Sequence, residues 1–98
     1  MAAYIIATRE KTRNAAELAE YKKSVPATFQ EHPVVVRAIN GRCEVLEGPA
    51  LEDVVILEFP SYEEAKAWYQ SPAYQAARAH GFQGADYRFI LTEGTAAH

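Results

Sequence analysis

The run from Glu58 to Tyr74 constrains the fold of this chain more than any other stretch. It reads as strand end, helix cap, helix, second cap, second helix. Ser61 stands three residues before Glu64, a capping box in which the hydroxyl accepts an orphan backbone N–H at the helix start. Glu63 and Glu64 sit at the positive end of the helix dipole. Pro60 cannot donate to a ladder, so it closes the preceding strand. Ser71-Pro72 repeats the signal, with Ser at the cap and Pro at the first helical position, where its missing N–H costs nothing. Upstream, Asp53 to Phe59 is a short apolar, β-branched run, the pattern of a strand covered on both faces.

The rest of the chain fills in around this unit. Ala3 to Arg9 reads as a first strand. Asn14 with Glu17 three residues later is a second cap. Leu18, Tyr21, Val25 and Phe29 then recur at spacings of three and four, which predicts an amphipathic helix. Pro26 removes one backbone bond and should bend that helix or split off its last turn. Val34 to Ala38 is a second strand. Asn40-Gly41 is a strong hairpin signal, because both residues tolerate positive φ, and Cys43 to Leu46 is the expected returning arm. Glu47-Gly48-Pro49 makes a turn. Tyr87 to Leu91 is the last strand, and Thr95 to His98 reads as a frayed tail.

The order is strand, helix, strand, strand, helix pair, strand. That is the βαββαβ pattern of a ferredoxin-like α+β domain, an antiparallel sheet with helices on one face, here over residues 1–94. The strand at Asp53 is apolar on both sides, since Val54 and Ile56 alternate with Val55, Leu57 and Phe59. A sheet face that is apolar and uncovered predicts a partner, most simply a second copy packing sheet to sheet. At 98 residues a single domain buries only roughly 65% of its unfolded surface, so dimerisation would add needed core.

Charge and composition exclude several classes. A net charge of -3 gives no electrostatic footprint for nucleic acid. No apolar run approaches the roughly 18 residues of a membrane span, and Met1 to Ala7 lacks the basic start of a secretion signal. The single Cys43 cannot form an intramolecular disulfide, which favours a reducing, cytoplasmic setting. No HExxH motif, Cys/His cluster or glycine-rich phosphate loop is present, so neither metal nor cofactor is implied.

A set of residues carries a family resemblance. They are Tyr4 to Ala7, Tyr21 with Val25 to Thr28, Val36-Arg37, Glu44 to Gly48, Glu58 to Ser61, the Ala65 to Ala77 stretch with Trp68, Tyr69 and Tyr74, and Glu93-Gly94. Together they resemble the family called domain of unknown function 1330, over nearly the whole chain. The resemblance implies the dimeric α/β barrel superfamily and a homodimer of two four-stranded sheets. It implies no settled activity. The chain departs from the family pattern at Glu31-His32-Pro33, where a Gly-Gly pair is usual. It departs again at Gly81, where the family carries an Arg whose contact His80 or Arg78 could replace.

Candidate site residues follow from chemistry and placement. Tyr21, Trp68 and Tyr74 are aromatics with polar tips on inner helix faces, suited to line a ligand site or to fill an ordinary core. Arg37 could orient a carboxylate or enolate oxygen. Glu58 shares a strand face with Val54 and Ile56 and could move a proton, or pair structurally with Arg37 or Arg88. His32 and His80 either serve as acid/base groups or interact with helix ends. Ser61 and Ser71 are caps, with no nucleophile elbow around them. The catalytic residues remain unassigned. The expected function is binding or cofactor-free conversion of a small aromatic or carboxylate molecule by a homodimer. The alternative is a non-catalytic dimerisation module with a filled core, and a cavity beside Tyr21 and Trp68 of roughly 300 Å³ or more would separate the two.

Overall fold

Every element of the computed structural model follows from a local signal, and the model describes residues 1–95. In chain order they are β1 (Ala3–Thr12), α1 (Ala15–Ser24), a 3₁₀ turn (Pro26–Phe29), β2 (Val35–Ala38), β3 (Asp53–Phe59), α2 (Tyr62–Gln70), α3 (Pro72–Gly84) and β4 (Ala85–Glu93). Asn14 caps α1 through Oδ1, which accepts from the N–H groups of Ala16 and Glu17. Ser61 caps α2 by accepting from Glu64 N–H, and Ser71 caps α3 by accepting from Tyr74 N–H. Pro26 splits off the last turn of the first helix as the 3₁₀ segment. The expected tail lies, from residue 96 onward, outside the described residues.

The four strands form one antiparallel sheet in the order β2-β3-β1-β4, the ferredoxin-like arrangement. All helices cover one face, and the body is only 17 Å thick. That thickness fits one helix layer on one sheet, with the other sheet face uncovered by the described residues. The inner face of the sheet carries Ala3, Ile5, Leu57 and Phe59, which pack with Trp68, Tyr74 and Ala77 into the core. The outer face carries Tyr4, Ile6, Val54, Ile56 and the exposed Ile90, so the apolar character expected on both sides of β3 is present. Gly81 and Gly84 let α3 approach α1. A Cβ at Gly81 would lie 2.7 Å from Cδ1 of Tyr21, and one at Gly84 would lie 2.5 Å from the Leu18 nitrogen.

The hairpin arm after Asn40-Gly41 is a correction. Asn40 does take positive φ (55°). Cys43 to Leu46, however, forms no strand and stays exposed. β2 is four residues long, and a turn alone supplies no buried face to hold a further strand against it.

Candidate functional site

The alternation that builds the core also builds a polar end to it. Along β1 the inner-face positions run Ala3, Ile5, Ala7 and then Arg9. Along β3 they run back from Phe59 through Leu57 and Val55 to Asp53. Along β4 they run from Leu91 through Phe89 to Tyr87. The register places Arg9 opposite both Asp53 and Tyr87. Three strands therefore end their apolar stripes in an arginine, an aspartate and a tyrosine, side by side.

Charge pairing organises this group. Arg9 Nε donates to Glu52 Oε1 at 3.0 Å, and its Nη1 lies 3.9 Å from Asp53 Oδ2. Thr12 donates to Glu52 twice, from its backbone N–H at 3.0 Å and from its hydroxyl at 2.5 Å. These bonds, the Thr12 hydroxyl foremost and Arg9 after it, hold the Glu52 carboxyl at about 2. Burial opposes the Arg9 charge, but Tyr87, Glu52 and Asp53 outweigh it and raise its pKa. Burial also raises the Tyr87 phenol, against the pull of the adjacent guanidinium, so Tyr87 is a neutral donor at ordinary pH.

Above this polar end a cavity of about 220 Å³ opens between the helices and the sheet. Its walls are apolar: Ala7, Val55 and Leu57 from the sheet, Phe29 and Val25 from the first helix region, and Trp68 from α2. Lys22, Ile39 and Asn40 line it too. The volume falls short of the roughly 300 Å³ set above to separate a ligand site from a filled core, so size alone does not favour a ligand site, and an occupant would be a small molecule.

The five sequence-chosen residues do not form one site. Tyr21 and Trp68 line the cavity. Tyr74, 1% exposed, sits behind them and bonds Tyr21, hydroxyl to hydroxyl, at 2.9 Å. Trp68 Nε1 donates to the Thr28 hydroxyl at 3.0 Å, and that hydroxyl donates to the Val25 carbonyl. Burial, with the neighbouring ring second for Tyr21, pushes both phenols well above the ordinary tyrosine value. Arg37 and Glu58 are paired at 2.7 Å, but on the outer sheet face with Val54 and Ile56. Strand alternation puts them a full sheet away from Tyr21 and Trp68. His80 Nδ1 meets Glu17 Oε2 at 2.6 Å, so Glu17 ties α1 to α3 instead of reaching back to its own cap. His32 follows the 3₁₀ turn and donates its backbone N–H to Phe29. Among the described residues no group of three His, Cys, Asp or Glu side chains is placed to hold a metal ion. No helix among them is long and apolar enough to cross a membrane.

Residues 2–95 match the model of the family described as Domain of unknown function (DUF1330). The chain belongs to this family. Among curated proteins, none matches the sequence. Among solved structures, the chain is similar to a protein of unknown function from Rhodopseudomonas palustris. The identity is 20% and the TM-score 0.73, over 98% of this chain and 84% of that one. It is also similar to SnoaB, a cofactor-independent oxygenase from Streptomyces nogalater, at 9% identity and TM-score 0.64, over 98% and 95% of the two chains. A dimeric ferredoxin-like protein of unknown function from Bacteroides fragilis matches at 13% identity and TM-score 0.58, over 95% and 96%. These likenesses share the fold. The departure at Gly81 has a local reason: its Cα faces the Tyr21 ring, and any side chain there would displace that ring.

Proposed function

We propose that this protein is a homodimer that binds, or converts without a cofactor, a small aromatic molecule in the cavity between its helices and sheet. The observation that carries the reading is the polar end on an apolar cavity: Arg9, Asp53 and Tyr87 lie together beneath walls of Phe29, Val55 and Trp68. A few convergent polar groups on an apolar concavity are the usual composition of a small-molecule site. Glu52 and Asp53 already balance the Arg9 charge. That balance favours a phenol, enol or ketone oxygen at this end over a full carboxylate, which would meet two acidic neighbours. Tyr87 supplies an O–H and Asp53 an acceptor. SnoaB shows that this fold admits cofactor-independent chemistry in one protein, and fold alone does not carry the activity across.

The homodimer reading is supported by the bare apolar outer face, where the Arg37–Glu58 pair would meet the partner copy. An exposed, free Cys43 supports a reducing, cytoplasmic setting. The second reading, a module with a filled core, draws on the Tyr21–Tyr74 and Trp68–Thr28 bonds, which satisfy those polar tips internally. A thermal-shift screen pairing small phenols and cyclic ketones with benzoates decides between them. We expect stabilisation by the neutral set, of about 2.7 kcal/mol at a hundred times Kd, reduced in Tyr87→Phe and Arg9→Met. No shift with any compound at millimolar concentration would leave the filled-core module standing, and a shift undiminished in both variants would place the ligand away from this polar end.

A further inference from the structure

The longest irregular segment of the chain is also its most exposed one. Residues 39–50 are exposed throughout. Between Gly41 and Leu51 no hydrogen bond among the described residues ties the segment to the rest of the chain. Yet it carries Val45 and Leu46, and Leu46 is 85% exposed, the most open large apolar side chain described. Glu44 and Glu47 flank this apolar pair. The sequence Glu-Val-Leu-Glu thus leaves a leucine almost wholly in solvent between two carboxylates, an apolar surface suited to a partner.

An apolar groove with cationic neighbours lies at the opposite edge of the sheet. Among the described residues β4 pairs only with β1, which leaves its other edge unpaired there. Beside that edge lies an open groove of about 300 Å³, floored by Ile5, Phe89 and Leu91 and walled by Tyr69. Lys66 rims it, and Arg88 projects from the exposed outer face of β4. Neither cation takes part in a salt bridge among the described residues. The arm leaves from β2, the other edge strand. When two such sheets pack outer face to outer face about an axis along the strands, β2 of one copy lies over β4 of the other. From Ala38, the eight residues to Leu46 reach up to about 27 Å when extended. Face-packed sheets lie about 10 Å apart, and the groove opens on the helix side of β4, so the arm crosses the gap and rounds the β4 edge to reach it.

We propose that residues 41–49 form an arm that docks on a second copy of this chain, seating Leu46 in the groove beside the partner's β4. Glu44 and Glu47 then face the Lys66 and Arg88 of the partner subunit. The proposal rests on the sheet-to-sheet dimer above and adds to it a reciprocal clasp at each edge, which covers both the free strand edge and the exposed leucine. The arm follows directly on Ile39 and Asn40, which line the cavity, so docking also fixes one wall of the ligand site.

Cys43, alone of its kind in the chain, lies within the arm and makes the test direct. Lys66→Cys is oxidised with copper phenanthroline and run on a non-reducing gel, beside Lys23→Cys on the exposed face of α1. We expect Lys66→Cys to give a covalent dimer that Cys43→Ser abolishes, and Lys23→Cys to stay uncrosslinked. In parallel, Leu46→Glu in the otherwise native chain should weaken the dimer about tenfold or more in sedimentation equilibrium, with unchanged circular dichroism. Equal cross-linking at both positions, or an unchanged dissociation constant in Leu46→Glu, overturns the arm while leaving the sheet dimer intact. A native chain that sediments as a monomer overturns both.

Discussion

Removing the hydroxyl of Tyr21 tests how this core is held. In Tyr21→Phe the apolar ring stays and one bond, the 2.9 Å contact to the Tyr74 hydroxyl, is lost. Tyr74 is 1% exposed, so water cannot replace the missing partner. A net hydrogen bond is worth about 1 kcal/mol, and a buried group left unsatisfied costs about 1–3 kcal/mol. The single variant should therefore lose about 1–3 kcal/mol, a fall in Tm of roughly 4–20 °C for a domain of this size. Tyr74→Phe should lose a similar amount for the same reason. The double variant leaves no orphan, since two apolar edges then face one another, and should cost clearly less than the sum of the singles. Differential scanning calorimetry at one fixed protomer concentration reads all four corners of the cycle, because a dimer's Tm moves with concentration. Additive losses, or a neutral Tyr21→Phe, would refute the paired-phenol account and return Tyr21 to the cavity as a hydrated, ligand-facing group.

Three further outcomes follow from single contacts. Gly81→Ala should destabilise despite the better helix propensity of alanine, because its Cβ meets the Tyr21 ring at 2.7 Å. Overpacking of this kind costs about 1–3 kcal/mol, and thermal unfolding measures it. Glu52 has a folded pKa of about 2 against an ordinary 4.5. Its contribution is complete above about pH 4.5 and is lost as pH falls toward 2, so Glu52→Gln should flatten the acid-unfolding curve over that window. Val54→Asp, which puts a charge on the outer sheet face, should shift the chain to monomer in sedimentation equilibrium or unfold it; a stable dimer would refute sheet-to-sheet packing.

How far the sequence speaks depends on the range of the interaction. Caps at Asn14, Ser61 and Ser71 are local, and each sits where its residue pattern places it. Pro26 acts through its own ring, and it splits the helix where it stands. The hairpin expected after Asn40-Gly41 shows the limit of such signals. A turn residue sets a dihedral angle, but a strand also needs a surface to pack on, and Cys43 to Leu46 stay exposed with no strand formed. Glu58 was readable as an outer-face residue from its alternation with Val54 and Ile56, and the same rule separates it from Trp68. The polar end of the cavity was legible in principle. Extending the inner stripes of three strands by two residues each reaches Arg9, Asp53 and Tyr87. What the stripes lack is the strand order and register, which alone bring those three side chains together.

The central claim, that the cavity above Arg9 and Tyr87 is a ligand site, is tested most directly by filling it. Val55 lines the cavity from the middle of the sheet, and Val55→Phe would occupy much of its volume while keeping the inner face apolar. Calorimetric titration with the strongest compound from the neutral aromatic set compares this variant with the native chain. The account predicts that Val55→Phe stays folded, with unchanged circular dichroism, and loses binding by about a hundredfold or more. A folded Val55→Phe that binds with native affinity would place the ligand elsewhere and contradict the account.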